Sequence, residues 1–96
     1  MNKQDIITRL RSLKPVLKEK YGVSELALFG SFSRDEQTDE SDIDIMVDFN
    51  KPVGIEFLDV VYLLENEFEN RLVQVVSKKG IKARYFEKLQ QDLVYA

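Results

Sequence analysis

Two aspartates one residue apart, Asp42 and Asp44, follow a Gly30-Ser31 pair after ten intervening residues, in the stretch GSFSRDEQTDESDID. Alternate residues of an extended strand share a face, so the two carboxylates of a strand over residues 42 to 49 stand side by side. Like charges that close are costly without a cation between them. Oxygen ligands at this spacing suit Mg²⁺ bridged to the phosphates of a nucleotide. The Gly-Ser pair closes an apolar run, and if Ser31 opens a short helical turn, the N–H groups of residues 31 to 34 face outward at a helix N-terminus, where anions bind. Each feature alone has an ordinary reading, a strand-to-turn junction in one case and solvent-facing acids at a sheet edge in the other. Their separation brings turn and strand to the same end of a sheet, and together they point to a metal–nucleotide site.

The composition narrows the chemistry further. The chain has 96 residues and neither cysteine nor histidine. Disulfides, zinc sites of the usual kind, thiol nucleophiles and imidazole acid–base chemistry are therefore absent, and catalysis must run on carboxylates, hydroxyls, Lys or Arg. A formal charge of −3 offers no broad electropositive face for a polynucleotide, which is disfavoured as a substrate. No stretch is apolar over the 18 or so residues that a membrane span needs, and the N-terminus lacks a signal-peptide core, so a cytoplasmic protein without membrane contact is expected.

The elements that must position these residues follow from periodicity. Ile6, Ile7, Leu10, Leu13, Val16 and Leu17 recur at helical spacing from Asp5 to Tyr21, with Asp5 as N-cap, Gly22 past the end and Pro15 inside, where a kink or a split is expected. ELALF, residues 25 to 29, reads as a buried strand, and DIDIMVDF, residues 42 to 49, as a second with Asp42, Asp44 and Met46 on one face. Pro52 and Gly54 mark a loop before an amphipathic helix from Ile55 to about Asn70. LVQVV, residues 72 to 76, is a third strand, and residues 81 to 93 close as a helix. The expectation is one α/β domain over residues 1 to 96 with a small mixed three-stranded sheet flanked by helices. The short link between the first two strands makes them antiparallel; the long link to the third allows a parallel pair.

Gly30-Ser31, ten residues and Asp42-x-Asp44 resemble the signature of the nucleotidyltransferase superfamily that includes polymerase beta. The compact length, FGSFSR and SDIDIMV resemble its minimal nucleotidyltransferase (MNT) branch, and the likeness runs over essentially the whole chain. The resemblance implies the polymerase beta-like nucleotidyltransferase fold, Mg²⁺ held by Asp42 and Asp44, and ATP as nucleotide donor. It implies contacts from Gly30 and Ser31 to the phosphates, with Ser41 counted among the nucleotide-binding residues and Arg34 beside the triphosphate. In that branch the domain is typically a bacterial antitoxin encoded beside a HEPN-domain toxin, and some members transfer AMP from ATP to a tyrosine of the toxin. Ser33-Arg34-Asp35 departs mildly from the common Ala-Arg-Gly. The larger departure is Val73-Gln74-Val75-Val76 where the pattern is Val-Asp-Leu-Val, so that Gln74 occupies the place of a third aspartate. An amide oxygen can ligate a cation but cannot take a proton from an attacking hydroxyl, help worth about 10²–10⁴ in rate.

Two classes of function stay open on the sequence. The retained Gly30, Ser31, Arg34, Asp42 and Asp44 favour an adenylyl-transferring enzyme with attenuated activity; Gln74 favours an antitoxin that neutralises its toxin by covering it. A free-standing drug-modifying enzyme is less favoured, because such enzymes usually add a second domain for the acceptor. So short a chain is also expected to gain stability from a helical partner or as a homo-oligomer. Lys78, Lys79, Lys82 and Arg84 read as a solvated helix start, Tyr62, Phe68, Tyr85 and Phe86 as core, and Asp48 and Asp59 as surface charge; Tyr95 is uncommitted.

Overall fold

A computed structural model describes all of residues 1–96. The first helix, α1, spans Lys3–Tyr21. Its cap is Asn2, one turn earlier than Asp5: the Asn2 side chain accepts from Asp5 N at 2.9 Å, and Asp5 returns a carboxylate to Asn2 N at 3.0 Å. Asn2 takes this place because its backbone is extended while Asp5 is already helical, which makes a reciprocal capping box. Pro15 does not split α1. Both Pro15 and Arg11, whose carbonyl loses its usual donor, lie on the exposed side, while Ile6, Ile7, Leu10 and Leu17 anchor the buried side. The helix stops at Gly22, whose φ of +75° suits glycine and whose N–H caps the carbonyls of Leu17 and Lys18.

Strand β1 (Val23–Phe29) runs antiparallel to β2 (Ile43–Phe49), as the short link between them requires. Helix α2 (Glu56–Glu67) then carries the chain back to β3 (Val73–Ser77), which lies parallel to β2. A 3₁₀ turn over Lys78–Gly80 leads to α3 (Ala83–Gln90). The expected three-stranded sheet gains a fourth strand, β4 (Val94–Tyr95), in the order β3-β2-β1-β4. The closing helix ends earlier than its apolar spacing suggested because β1 would otherwise leave an edge of unpaired N–H and C=O groups; Val94 and Tyr95 pair with Leu28 and Ala27 there.

The pleat sorts the strands into two faces. Leu26, Leu28, Ile43, Ile45 and Val47 join the buried side chains of α1 and α2 in one core of 15 residues that includes Phe32 and Phe68. The opposite face pairs Glu25 with Asp48, Ala27 with Met46, Phe29 with Asp44 and Asp44 with Gln74. Three sequence expectations change here. Tyr62 and Tyr85 are 65% and 50% exposed and so do not belong to the core. Lys78 and Lys79 are not merely solvated: they pair with Glu25 at 2.9 Å and Asp48 at 3.0 Å. Asp48 is correspondingly covered rather than free surface charge, because the 3₁₀ turn after β3 folds over its end of β2.

Candidate active site

The C-terminal end of β1 and the N-terminal ends of β2 and β3 meet at one edge of the sheet. Asp44 stands opposite Phe29 on β1 and Gln74 on β3, and Asp42 immediately precedes β2. Gly30 has a φ of +79°, and a Cβ there would collide with the Asp44 carboxylate, lying 3.1 Å from its Cγ and 3.3 Å from its Cβ. Only glycine allows the turn to approach that closely. The chain then folds back on itself: Ser33 N and Arg34 N bond to Gly30 O at 3.1 and 3.2 Å, and Ser33 Oγ adds a third bond at 2.8 Å. Of the four amides expected to face an anion, those of Ser33 and Arg34 are thus turned inward, leaving Ser31 and Phe32 without a backbone acceptor. With Gly30 in left-handed backbone and its carbonyl accepting from Ser33 and Arg34, the segment closes as successive turns instead of a helix.

Gln74 is exposed, and its Nε2 donates to Asp42 Oδ2 at 3.1 Å. Half-burial holds the Asp44 carboxyl above its ordinary range, repulsion from Asp42 adds to this, and Arg34 opposes it. Arg34 donates through Nε to Glu36 at 2.9 Å and through Nη1 to Asp92 at 2.5 Å; these bonds, Glu36's first, raise its own pKa. Ser41 closes the loop before Asp42, its Oγ accepting from Thr38 N at 2.8 Å. Asp92, in the turn between α3 and β4, is 58 residues from Arg34 and carried no signal in the sequence.

Asp42 and Asp44 have no third acidic or imidazole neighbour with which to form a larger metal-ligating cluster. Two carboxylates nevertheless suit Mg²⁺, which keeps several waters and commonly takes one or two carboxylates plus substrate phosphates; Gln74 turns its NH₂ group, not its oxygen, toward Asp42. A cation would also relieve the repulsion that raises Asp44. The donor set therefore fits one hard cation shared with a ligand.

A family model described as a nucleotidyltransferase domain matches residues 10–95. A Methanocaldococcus jannaschii protein, provisionally named a protein adenylyltransferase, is 46% identical over 90 residues, covering 90% of this chain and 89% of its own. Protein adenylyltransferase MntA of Thermococcus cleftensis is 33% identical over 93 residues, 96% of this chain and 93% of its own. Among solved structures, one provisionally described as a minimal nucleotidyltransferase superposes with a TM-score of 0.80 at 22% identity, covering 98% of this chain and 95% of that one. A toxin–antitoxin complex with AMP-PNP has a TM-score of 0.69 at 22% identity, covering 99% and 72%. A tri-AMPylated Shewanella oneidensis HEPN toxin in complex with its MNT antitoxin has a TM-score of 0.60 at 20% identity, covering 98% and 67%. These structural likenesses bear on the fold.

Proposed function

The chain belongs to the nucleotidyltransferase domain family, and from that membership we propose that it transfers AMP from ATP to a hydroxyl of a partner protein, a HEPN-domain toxin, in the cytoplasm. The acceptor oxygen attacks the α-phosphorus, pyrophosphate leaves, and the hydroxyl proton passes to solvent. Asp42 and Asp44 would hold Mg²⁺, which would supply charge stabilisation to the phosphoryl transfer. The turn after Gly30 offers the Ser31 and Phe32 amides to phosphate oxygens, and Arg34 exchanges a carboxylate partner for the triphosphate. The observation that carries this reading is the collision a side chain at Gly30 would make with Asp44, because it ties the anion-facing turn to the carboxylate pair. The names of the relatives support protein as the acceptor.

The test is incubation with labelled ATP, Mg²⁺ and the HEPN partner, followed by mass analysis of both chains. AMP on a partner hydroxyl, lost in chelator and in Asp44→Asn, is the expected result. Label that appears equally with Asp44→Asn would overturn it. A second reading, neutralisation by binding alone, is favoured by Gln74, which gives the site an amide where a proton acceptor would serve. It predicts toxin inhibition that is indifferent to ATP and unchanged in Asp44→Asn.

A further inference from the structure

The geometry points to Arg71 as a positioning residue that holds together the three segments carrying the site; this rests on the reading of Asp42 and Asp44 as the cation-holding pair. Arg71 stands three residues before Gln74, in the link between α2 and β3. Its Nη1 donates to Ser41 O at 2.9 Å and to Asp39 O at 3.2 Å, the main chain that leads directly into Asp42. Its guanidinium also lies over the ring of Phe32, 5.1 Å from the centroid. Phe32 is fully buried and follows Ser31, so this contact reaches the turn beside Asp44. One residue further on, Leu72 O accepts from Ile43 N at 2.9 Å, at the start of the β2–β3 pairing. One side chain, rooted just before the strand bearing Gln74, thus touches both the turn and the approach to Asp42.

The chemistry selects arginine for this place. A guanidinium donates in its plane while its flat face stacks on a ring, whereas an ammonium is a compact point charge with no planar face to lay on Phe32 while it donates to two carbonyls. None of the structure's four ion pairs includes Arg71, so its donors go to carbonyls instead of a surface carboxylate. Arg9 provides a matched control in the same cavity of about 400 Å³. It too donates to a main-chain carbonyl, Glu67 O at 3.2 Å, and lies over a ring, Phe68 at 5.7 Å. Those contacts brace the end of α2 and touch no segment of the site.

The experiment compares wild type with Arg71→Met, Arg71→Lys and Arg9→Met in the full chain. Its readouts are melting temperature, amide hydrogen exchange over residues 31 to 43, Mn²⁺ affinity as the metal probe, and kcat and KM for transfer. In Arg71→Met, exchange at Ser41 and Ile43 should quicken about 10-fold as the segment opens locally. Mn²⁺ affinity and kcat should each fall about 10–100-fold, the range seen when a group orienting a metal ligand is lost. The acceptor KM should not change. Arg71→Lys should recover little, and Arg9→Met should stay within about 2-fold of wild type in Mn²⁺ affinity and kcat. Equal effects of Arg71→Met and Arg9→Met on exchange and Mn²⁺ affinity, or full rescue by lysine, would overturn the assignment. A wild type that binds Mn²⁺ but transfers no AMP would sink the proposed reaction and leave Arg71 to be decided by exchange and Mn²⁺ affinity. A wild type that binds no Mn²⁺ leaves the exchange comparison to decide it.

Discussion

The two faces of this sheet are built from the same strands, one pleat apart, and carry opposite burdens. On one face Leu26, Leu28, Ile43, Ile45 and Val47 are fully buried with α1 and α2 in a single apolar core. On the other, only Ala27 and Met46 are fully buried, between charged positions at either end. Glu25 and Asp48 are neutralised there by Lys78 and Lys79 at one end, while Asp44 at the other has its charge raised in cost by burial and by Asp42. Helix α3 buries no residue fully, whereas α1 buries four. Stability is therefore concentrated on the helix-packed face. The opposite face can then hold an unfavourable pair of carboxylates that a bound cation would relieve.

The contrast is broken most severely by exchanging substitutions between neighbours. Ile45→Ala should cost about 2–5 kcal/mol through lost burial and the cavity left behind, a large part of a small domain's stability, and calorimetric melting would register it. Asp44→Asn, one residue away, should lower AMP transfer by more than about 100-fold, the upper figure for losing merely a partner of a metal ligand. Its metal-free melting temperature should hold or rise, since a desolvated, repelled charge is removed. A clear loss of melting temperature in Asp44→Asn would mean that the two faces are not separated as described.

Gly30→Ala tests the boundary between the faces, because it strains the backbone and displaces a carboxylate together. The left-handed backbone should cost about 1–2 kcal/mol. Displacing Asp44 by an ångström should cost about 10²-fold in rate. Wild-type turnover in this variant would show that the turn need not press on Asp44. Gln74→Asp sharpens the comparison by making the polar face more acidic. It should lose the bond to Asp42, destabilise the protein in chelator, regain stability with Mg²⁺, and raise transfer about 10-fold if the new carboxylate serves as base. An unchanged rate together with no new metal dependence of melting would remove position 74 from the site.

The smallest expected effect is on pH. The folded-state pKa of Asp44 lies above its ordinary 3.8, so between the two values the folded protein binds more protons than the unfolded chain. The contribution of this group to stability therefore grows as pH falls through the raised pKa and levels off below 3.8. Urea midpoints in chelator should show wild type gaining on Asp44→Asn over that window; a wild type that loses ground there would contradict the burial of Asp44.

What was legible in the chain was local. The alternation in DIDIMV by itself places Ile43 and Ile45 on the face opposite Asp44, since a strand sorts its side chains by a period of two. The short link from Phe29 to Asp42 required antiparallel strands, and the long one to Val73 permitted a parallel pair, for reasons of chain reach alone. Gly30 and the two aspartates could be brought to one end of a sheet by the same counting. The tertiary structure decided everything that depends on groups far apart in the chain. Arg34 meets Asp92 across 58 residues with no periodicity to read, and while resemblance put Gln74 near the aspartates, its bond to Asp42 across 32 residues is a product of the fold. The last residues became β4 because the open edge of β1 needed partners, which outweighed the helical spacing of the segment. The inward bonds of Ser33 and Arg34 depend on where the Gly30 carbonyl points, and the place of Arg71 depends on three segments converging. Sequence pattern records which face a residue prefers; only the folded chain sets which distant groups that face brings into contact.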